Sequence, residues 1–275
     1  MKTLAHAYLD RIGYRGDVTP SAEVLRALHR AHLATVPFEN FDVHLDAVVP
    51  LDRAGILDKV VARRRGGYCY ELNTAFAALL GVLGFDVTMA RAAICDRDEV
   101  EPRWGNHLAL LVRVDGGTWV ADVGMGQGFV DPLPLRAGRH ERRGFDFEVV
   151  PDDDWWIGMH RYGRLEGYRL REEPVDLASF QPLHEYQTTS PESTFVRLLL
   201  VQRPYDDHVL TLVGTRLTAD GPAGRVETAL DTHAEYAAVL AERFDVPTAD
   251  LDTATLHRIA HSMTTAHAMA TARVG

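Results

Sequence analysis

The chain has 275 residues, enough for one large domain or for two or three smaller subdomains. Hydrophobic residues make up 46% and charged residues 25%, as in ordinary globular proteins. The net charge of −10 argues against nucleic acid or an anionic membrane as the main partner.

Targeting, disulfide and metal signals are all weak in this sequence. The N-terminus lacks the apolar run of a signal peptide, and no stretch of about 18 apolar residues could span a membrane. We therefore expect a cytoplasmic protein. Two cysteines make no disulfide framework, and the 13 histidines come without C-x-x-C or H-E-x-x-H spacing, so no metal site is predicted.

The first 85 residues have the apolar periodicity of helices. Helices are predicted over 3–13, 21–34 and 52–63. A fourth helix begins near Tyr70 and stops at Gly84, a residue typical of helix C-termini. Cys69 therefore lies at the start of a helix, directly after a turn made by Gly66 and Gly67.

After Gly84 the apolar pattern becomes that of short strands. Strands are predicted over 85–94, 107–114, 118–124, 145–150, 155–160, 195–203 and 208–218. Thr232 and Glu235 form a capping box that opens a helix over 233–243, and a last helix covers 253–265. Helices followed by strands and a mixed end predict an α+β fold.

Cys69 is the candidate nucleophile. A cysteine attacks as the thiolate, and a helix N-terminus together with a neighbouring imidazolium stabilises that charge. Gly66 and Gly67 let the backbone approach a substrate closely, and N–H groups at such a turn suit an oxyanion hole. Cys95 ends an apolar strand without polar context, so we expect it to pack as a small hydrophobe.

A hairpin predicts which base serves this cysteine. Asp115–Gly116 is the strongest two-residue turn signal between the strands, and it places His107 opposite Gly124. Asp122 then shares a face with His107, at a diagonal distance of about 7–8 Å between Cα atoms that both side chains can span. A turn at Gly116–Gly117 would instead separate the two. The first register predicts a histidine base oriented by a carboxylate.

Three motifs carry a family resemblance. RRGGYCYELN surrounds Cys69, NHLALLV contains His107, and VADVGMG contains Asp122. In this order and spacing they resemble the arylamine N-acetyltransferases. VPFEN at 36–40 and TTSPESTF at 188–195 are also similar to segments of that family, so the resemblance covers nearly the whole chain.

The resemblance implies a three-part α+β architecture. An N-terminal helical bundle would occupy 1–85, a central antiparallel β-barrel-like domain 86–190, and a C-terminal α/β lid 191–275. It also implies a Cys69–His107–Asp122 triad and ping-pong chemistry without a metal. Cys69 would take the acetyl group of the cosubstrate acetyl-CoA and pass it to an arylamine, arylhydrazine or N-hydroxyarylamine.

Further site residues are implied by the same resemblance. Glu39 and Arg64 would support the triad from behind, with Arg64 and Arg65 as structural ion-pair partners. The acceptor pocket would be lined by Phe38, Tyr68, Ile94 and Met125. The CoA site would include Asn106, Met125 and Gly126.

Two positions depart from the family pattern. The run Met125-Gly126-Gln127-Gly128 replaces the usual Phe-Gly-Gly, and exchanging an aromatic ring for a flexible methionine puts acceptor selectivity in question. Asn106 stands where a threonine or serine is expected, which affects a CoA contact and not the triad.

Three other functions share these residues. An amide synthase of the same fold would close a macrolactam from a carrier-bound polyketide with the same triad. A papain- or transglutaminase-like hydrolase would use the same Cys-His-Asp order without a CoA site, and a binding protein would use no chemistry. The sequence leaves open the physiological acceptor, the choice among acetyl, propionyl and malonyl donors, and the oligomeric state.

Overall fold

A computed structural model describes residues 2–272 of the chain, with side chains over 3–265. Its N-terminal part is helical, as predicted, apart from one two-residue strand. The elements are α1 (Lys2–Arg11), α2 (Ala22–Thr35), β1 (Phe38–Glu39), α3 (Phe41–His44), α4 (Arg53–Leu57), a π-helical turn (Asp58–Ala62) and α5 (Cys69–Leu83).

Helix α5 is the central element of this part. Twelve of its 15 residues are buried, and most of them are apolar, as in a helix enclosed by the rest of the protein. It packs against the strands that follow it, and Gly84 ends it in a left-handed conformation with φ of 92°. Its first residue is Cys69, so the predicted position of that residue at a helix start is confirmed.

An antiparallel sheet of eight strands follows and curls into a nearly closed barrel. Its strands are β2 (Asp86–Cys95), β3 (His107–Val114), β4 (Gly117–Val120), β5 (Leu133–Pro134), β6 (Gly138–Arg142), β7 (Phe145–Pro151), β8 (Trp155–Gly158) and β9 (Gly167–Pro174). Their spatial order is β5-β4-β3-β2-β9-β8-β7-β6. Strand β3, which begins with His107, therefore lies well inside the sheet.

The remaining chain forms a second sheet with helices. A 3₁₀ turn (Leu177–Phe180), α6 (Gln181–Thr189) and α7 (Thr194–Arg197) lead into β10 (Leu200–Pro204), β11 (Val209–Val213), β12 (Arg216–Gly221) and β13 (Gly224–Ala229), followed by α8 (His233–Phe244) and α9 (Thr253–Ala272). The sheet order is β1-β10-β11-β12-β13, so β1 of the helical part belongs to it.

The hairpin between β3 and β4 has the predicted register. Val114 pairs with Gly117, and Leu111 pairs with Val120. Asp115 and Gly116 have φ of 51° and 74°, as a type I′ turn requires. Strand β4 ends at Val120, earlier than the predicted 124, so the chain beyond it is a loop.

The predicted α+β class is confirmed, and so is the capping box of α8, in which the Glu235 N–H donates to the Thr232 hydroxyl over 3.3 Å. The predicted strand over 195–203 is wrong at its start, because the Ser193 hydroxyl accepts the Phe195 N–H over 3.1 Å and caps α7. The predicted strand over 208–218 is two strands, β11 and β12. The sequence analysis also missed β1, β5, β6, β9, β13, α3, α6, α7 and the 3₁₀ turn. The three domain bounds stay a prediction.

None of the helices within residues 2–272 is both long and apolar enough to cross a membrane. The cytoplasmic location stays a prediction.

Candidate active site

The turn before Cys69 is packed too tightly for any residue but glycine. A Cβ atom on Gly66 would lie 2.2 Å from the Pro37 carbonyl oxygen. The Glu39 N–H donates to the Gly67 carbonyl over 2.9 Å, which ties the start of α5 to β1. The turn that carries Cys69 is thus attached to α5 on one side and to β1, the edge strand of the second sheet, on the other.

A buried group of five charged side chains lies behind this turn. The Lys59 ammonium is 2.8 Å from a Glu71 oxygen and 2.9 Å from an Asp42 oxygen. One Arg65 nitrogen is 2.9 Å from both Glu39 and Asp42. Burial acts to lower the pKa of Lys59, but the surrounding carboxylates outweigh it and raise that pKa. We call these residues, Lys59, Glu71, Asp42, Arg65 and Glu39, the Lys59 cluster.

The Lys59 cluster holds the nucleophile helix at its first turn. The second Glu71 oxygen accepts the Tyr68 N–H over 3.1 Å, so a carboxylate closes the N-terminus of α5. Glu39 accepts the Phe41 N–H over 2.7 Å and the Arg65 contact, and its predicted support of the triad stays a prediction.

Arg64 does not take the supporting position predicted for it. Its side chain is exposed and its backbone φ is 55°, in the left-handed region. Its carbonyl oxygen accepts a hydrogen bond from Arg11 over 3.1 Å. The turn in the backbone at Arg64 leaves Arg65 as the buried arginine of this run, so Arg65 and not Arg64 makes the buried ion pairs.

His107 is joined to Asp122 by a short hydrogen bond. The ring Nε2 lies 2.7 Å from a carboxylate oxygen of Asp122, and both side chains are almost completely buried. Nδ1, the other ring nitrogen, makes no well-aligned hydrogen bond, while Cys69 lies close enough to stabilise the charged ring. Burial alone would lower the pKa of His107, but Asp122 and Cys69 outweigh it and raise that pKa to about 10.

Asp122 is held in place by α5 and by its own loop. Asn73 donates to one carboxylate oxygen over 2.8 Å, and the Gly124 N–H donates to the same oxygen over 2.9 Å. Burial raises the pKa of Asp122, but His107 and these two donors outweigh it and bring that pKa below its usual value.

Asn73 is a site residue that the sequence analysis missed. It lies four residues after Cys69 and therefore on the same face of α5, which is the signal that would have identified it. Its amide oxygen also accepts the Val123 N–H over 3.0 Å, so one side chain aligns the whole Asp122 loop with the nucleophile helix.

Gly124 lets this loop touch the start of α5. A Cβ atom there would lie 2.7 Å from the Cys69 Cα and 2.6 Å from the Asn73 amide nitrogen. The space that a side chain at Gly124 would need is filled by the Cys69 backbone and the Asn73 amide.

Cys69 and His107 border a cavity of about 380 Å³. We call it the Cys69 cavity. Most of the residues that the resemblance assigned to substrate or CoA line it, namely Phe38, Ile94, Asn106, Met125 and Gly126. The rest of its wall comes from the loop before β9, from α6, α7 and the residues next to them, from β10 and β11, and from Arg103, Gly124 and Gln127.

Tyr68 does not line the cavity, contrary to the prediction. Its side chain is buried, its hydroxyl forms a hydrogen bond with His184 Nδ1 over 2.5 Å, and its ring centroid lies 5.1 Å from that of Phe195. As the residue before the first turn of α5, it points toward α6 and α7 rather than toward the sulfur of Cys69.

Asn106 reaches the cavity wall with its amide group already paired. Its oxygen accepts the Ile94 N–H over 2.7 Å, and its nitrogen donates to the Ile94 carbonyl over 3.0 Å. The side chain therefore joins β2 to the start of β3, and its contact with CoA stays a prediction. Cys95, at the end of β2, is buried and its pKa is raised by burial.

Known proteins resemble the chain along nearly its whole length. The sequence profile of the N-acetyltransferase family matches residues 21–252. An arylamine N-acetyltransferase of Escherichia coli (strain K12) is 31% identical over 261 residues, which is 89% of either chain. That of Mycobacterium tuberculosis (strain ATCC 25618 / H37Rv) is 32% identical over 266 residues, 89% of this chain and 90% of its own.

Solved structures agree with the sequence matches. Arylamine N-acetyltransferase from Salmonella typhimurium superposes with a TM-score of 0.85 at 27% identity, covering 95% of this chain and 99% of its own. The Mycobacterium marinum enzyme in complex with CoA gives 0.84 at 28% identity, covering 94% and 98%. This chain is therefore an acyltransferase that belongs to the arylamine N-acetyltransferase family.

Proposed function

We propose that this chain moves an acetyl group from acetyl-CoA to an arylamine, arylhydrazine or N-hydroxyarylamine through an acetyl-Cys69 intermediate. One observation carries the proposal. Cys69 begins a helix beside His107, whose Nε2 is held 2.7 Å from Asp122, and both Cys69 and His107 border the same cavity.

In the first half-reaction Cys69 attacks as the thiolate, its proton having passed to His107 Nδ1. A bond forms between Sγ and the thioester carbonyl carbon, the carbon–sulfur bond to CoA breaks, and CoA leaves as the thiol with a proton from His107. The first N–H groups of α5, at Cys69 and Tyr70, have no acceptor inside the helix and are placed to stabilise the oxyanion.

In the second half-reaction the amine enters after CoA has left. Its nitrogen attacks the acetyl carbon while His107 Nδ1 accepts an amine proton. The bond to Sγ breaks and the thiolate–imidazolium pair returns. Asp122 keeps the ring in the orientation that leaves Nδ1 toward the sulfur in both halves.

The acceptor side of the cavity favours a single aromatic ring. Phe38, Ile94, Met125 and Phe195 line a space of about 380 Å³, near the lower end of the range for small-molecule sites. The space directly beside Cys69 therefore suits a small arylamine acceptor.

Intact-protein mass spectrometry after brief exposure to acetyl-CoA tests the proposal. We expect one acetyl group on Cys69, absent in Cys69→Ala, retained in the control Cys95→Ala and removed by 4-aminobenzoate or a hydrazine. Label on another residue, or none, would overturn the mechanism. Rapid loss of the acetyl group to water alone would indicate a hydrolase.

A further inference from the structure

We propose that Arg164 and Arg197 bind the phosphate groups of the acyl-CoA donor. The site is a groove that opens from the Cys69 cavity. This inference rests on the proposed function and names the residues that select a CoA thioester over a smaller acyl donor.

The groove is a second cavity of about 810 Å³ that shares a wall with the Cys69 cavity. Five residues border both spaces: Arg164, Thr194, Leu198, Thr211 and Val213. A long molecule with its reactive end at Cys69 therefore has a continuous path into the groove.

The groove has a positive lining in a chain of net charge −10. Four arginines and one glutamate line it: Arg164, Arg197, Arg216, Arg225 and Glu227. Arg216 and Arg225 are paired with Glu227, and Arg225 also lies 3.5 Å from Asp220.

Arg164 and Arg197 differ from these paired arginines. Among residues 3–265, whose side chains the structure describes, neither guanidinium has an ion-pair or side-chain hydrogen-bond partner, and both residues are exposed. Unpaired arginines at the rim of a groove are available to an anionic ligand, and the planar guanidinium matches the geometry of phosphate.

Both arginines are attached to ordered backbone. The Arg164 N–H donates to the buried Gln127 side chain over 2.7 Å, and Gln127 itself lines the Cys69 cavity. Arg197 ends α7, where its N–H donates to the Ser193 carbonyl over 3.0 Å. The two charges are thus positioned from two separate segments that meet at the groove.

The chemistry of CoA fits this arrangement. Its acyl thioester lies at one end of an uncharged pantetheine arm, and its diphosphate and 3′-phosphate lie at the other. With the thioester at Cys69, the uncharged arm passes the shared wall and the phosphates reach the arginine-lined groove.

The test compares two donors in Arg164→Gln, Arg197→Gln and the double variant. For acetyl-CoA we expect kcat/KM to fall about tenfold per arginine, mainly through KM, as for a charge-assisted hydrogen bond of about 1.4 kcal/mol. For 4-nitrophenyl acetate, which has no phosphate, we expect a change within about twofold. Arg161→Gln, an exposed neighbour outside the groove, is the matched control.

Arg103→Gln provides the sharpest comparison. Arg103 also borders the Cys69 cavity, with its guanidinium 3.9 Å from the ring centroid of Tyr186, but it does not line the groove. A selective loss with acetyl-CoA in Arg103→Gln and not in the other two variants would overturn the assignment, as would equal losses with both donors. Failure of the wild type to accept acetyl from either donor would instead overturn the proposed function itself.

Discussion

Two buried charged groups flank the nucleophile, and they differ in what they can do. The Lys59 cluster lies behind the turn before Cys69, and the His107–Asp122 pair lies on the barrel side. Both contain short ion pairs among nearly inaccessible side chains. Burial and ion pairing alone therefore do not distinguish a reactive group from a structural one.

The two groups differ in the chemistry of the cation and in whether it has a nitrogen without a hydrogen-bond partner. No member of the Lys59 cluster lines the Cys69 cavity, and its two cations stay charged at every ordinary pH. His107 borders the cavity, and its Nδ1 has no well-aligned hydrogen bond. The His107 ring is titratable, with one nitrogen bonded to Asp122 and the other unpaired, so it can accept and donate a proton. Lys59 is already paired with two carboxylates and can only hold its charge.

The largest effect should come from Asp122→Asn. The Asn73 amide still donates to the retained oxygen, but the new amide nitrogen would face His107 Nε2 and require it to be an acceptor. The proton then resides on Nδ1, where it blocks the base. We expect single-turnover acetylation of Cys69 to slow by about 10³–10⁴-fold, measured by quenched-flow mass spectrometry.

Thermal unfolding is the control for that variant. Because His107 can become neutral when its partner does, we expect the melting temperature to stay within a few degrees of the wild type. Acetylation at more than about a tenth of the wild-type rate would remove Asp122 from the mechanism.

Lys59→Met tests the Lys59 cluster and should lower the stability of the protein. Removing the ammonium leaves Asp42 and Glu71 buried without it, and breaking such a pair costs about 3–5 kcal/mol of unfolding free energy. Arg63→Met, which removes an exposed pair with Asp58, should cost less than about 1 kcal/mol. Urea unfolding measures both, and equal losses would contradict the structural role of the cluster.

Local signals fixed several parts of the site in advance. Asp115–Gly116 predicted the register of the β3–β4 hairpin, because few residue pairs adopt two positive φ values. The apolar period and Gly84 placed Cys69 at the start of α5. Each of these features depends on a few neighbouring residues. The resemblance to the family is what predicted that Cys69, His107 and Asp122 act together.

Side-chain direction and edge elements were not predictable in the same way. Arg64 and Arg65 are chemically identical, and which one is buried depends on the left-handed φ of Arg64. Tyr68 points toward His184, 116 residues later in the chain. Strand β9 ends in the exposed residues Arg171, Glu172, Glu173 and Pro174, so its apolar alternation is short.

The charge of His107 tests the central claim most directly. Nitrogen-15 NMR of the imidazole, followed against pH, should show a pKa of about 10 in the wild type, so that the ring stays protonated through neutral pH and loses its proton near pH 10. Because Cys69 is one cause of that rise, the pKa of His107 should fall in Cys69→Ala. A wild-type pKa near 6.5 that is unchanged in Cys69→Ala would show that sulfur and ring form no ion pair.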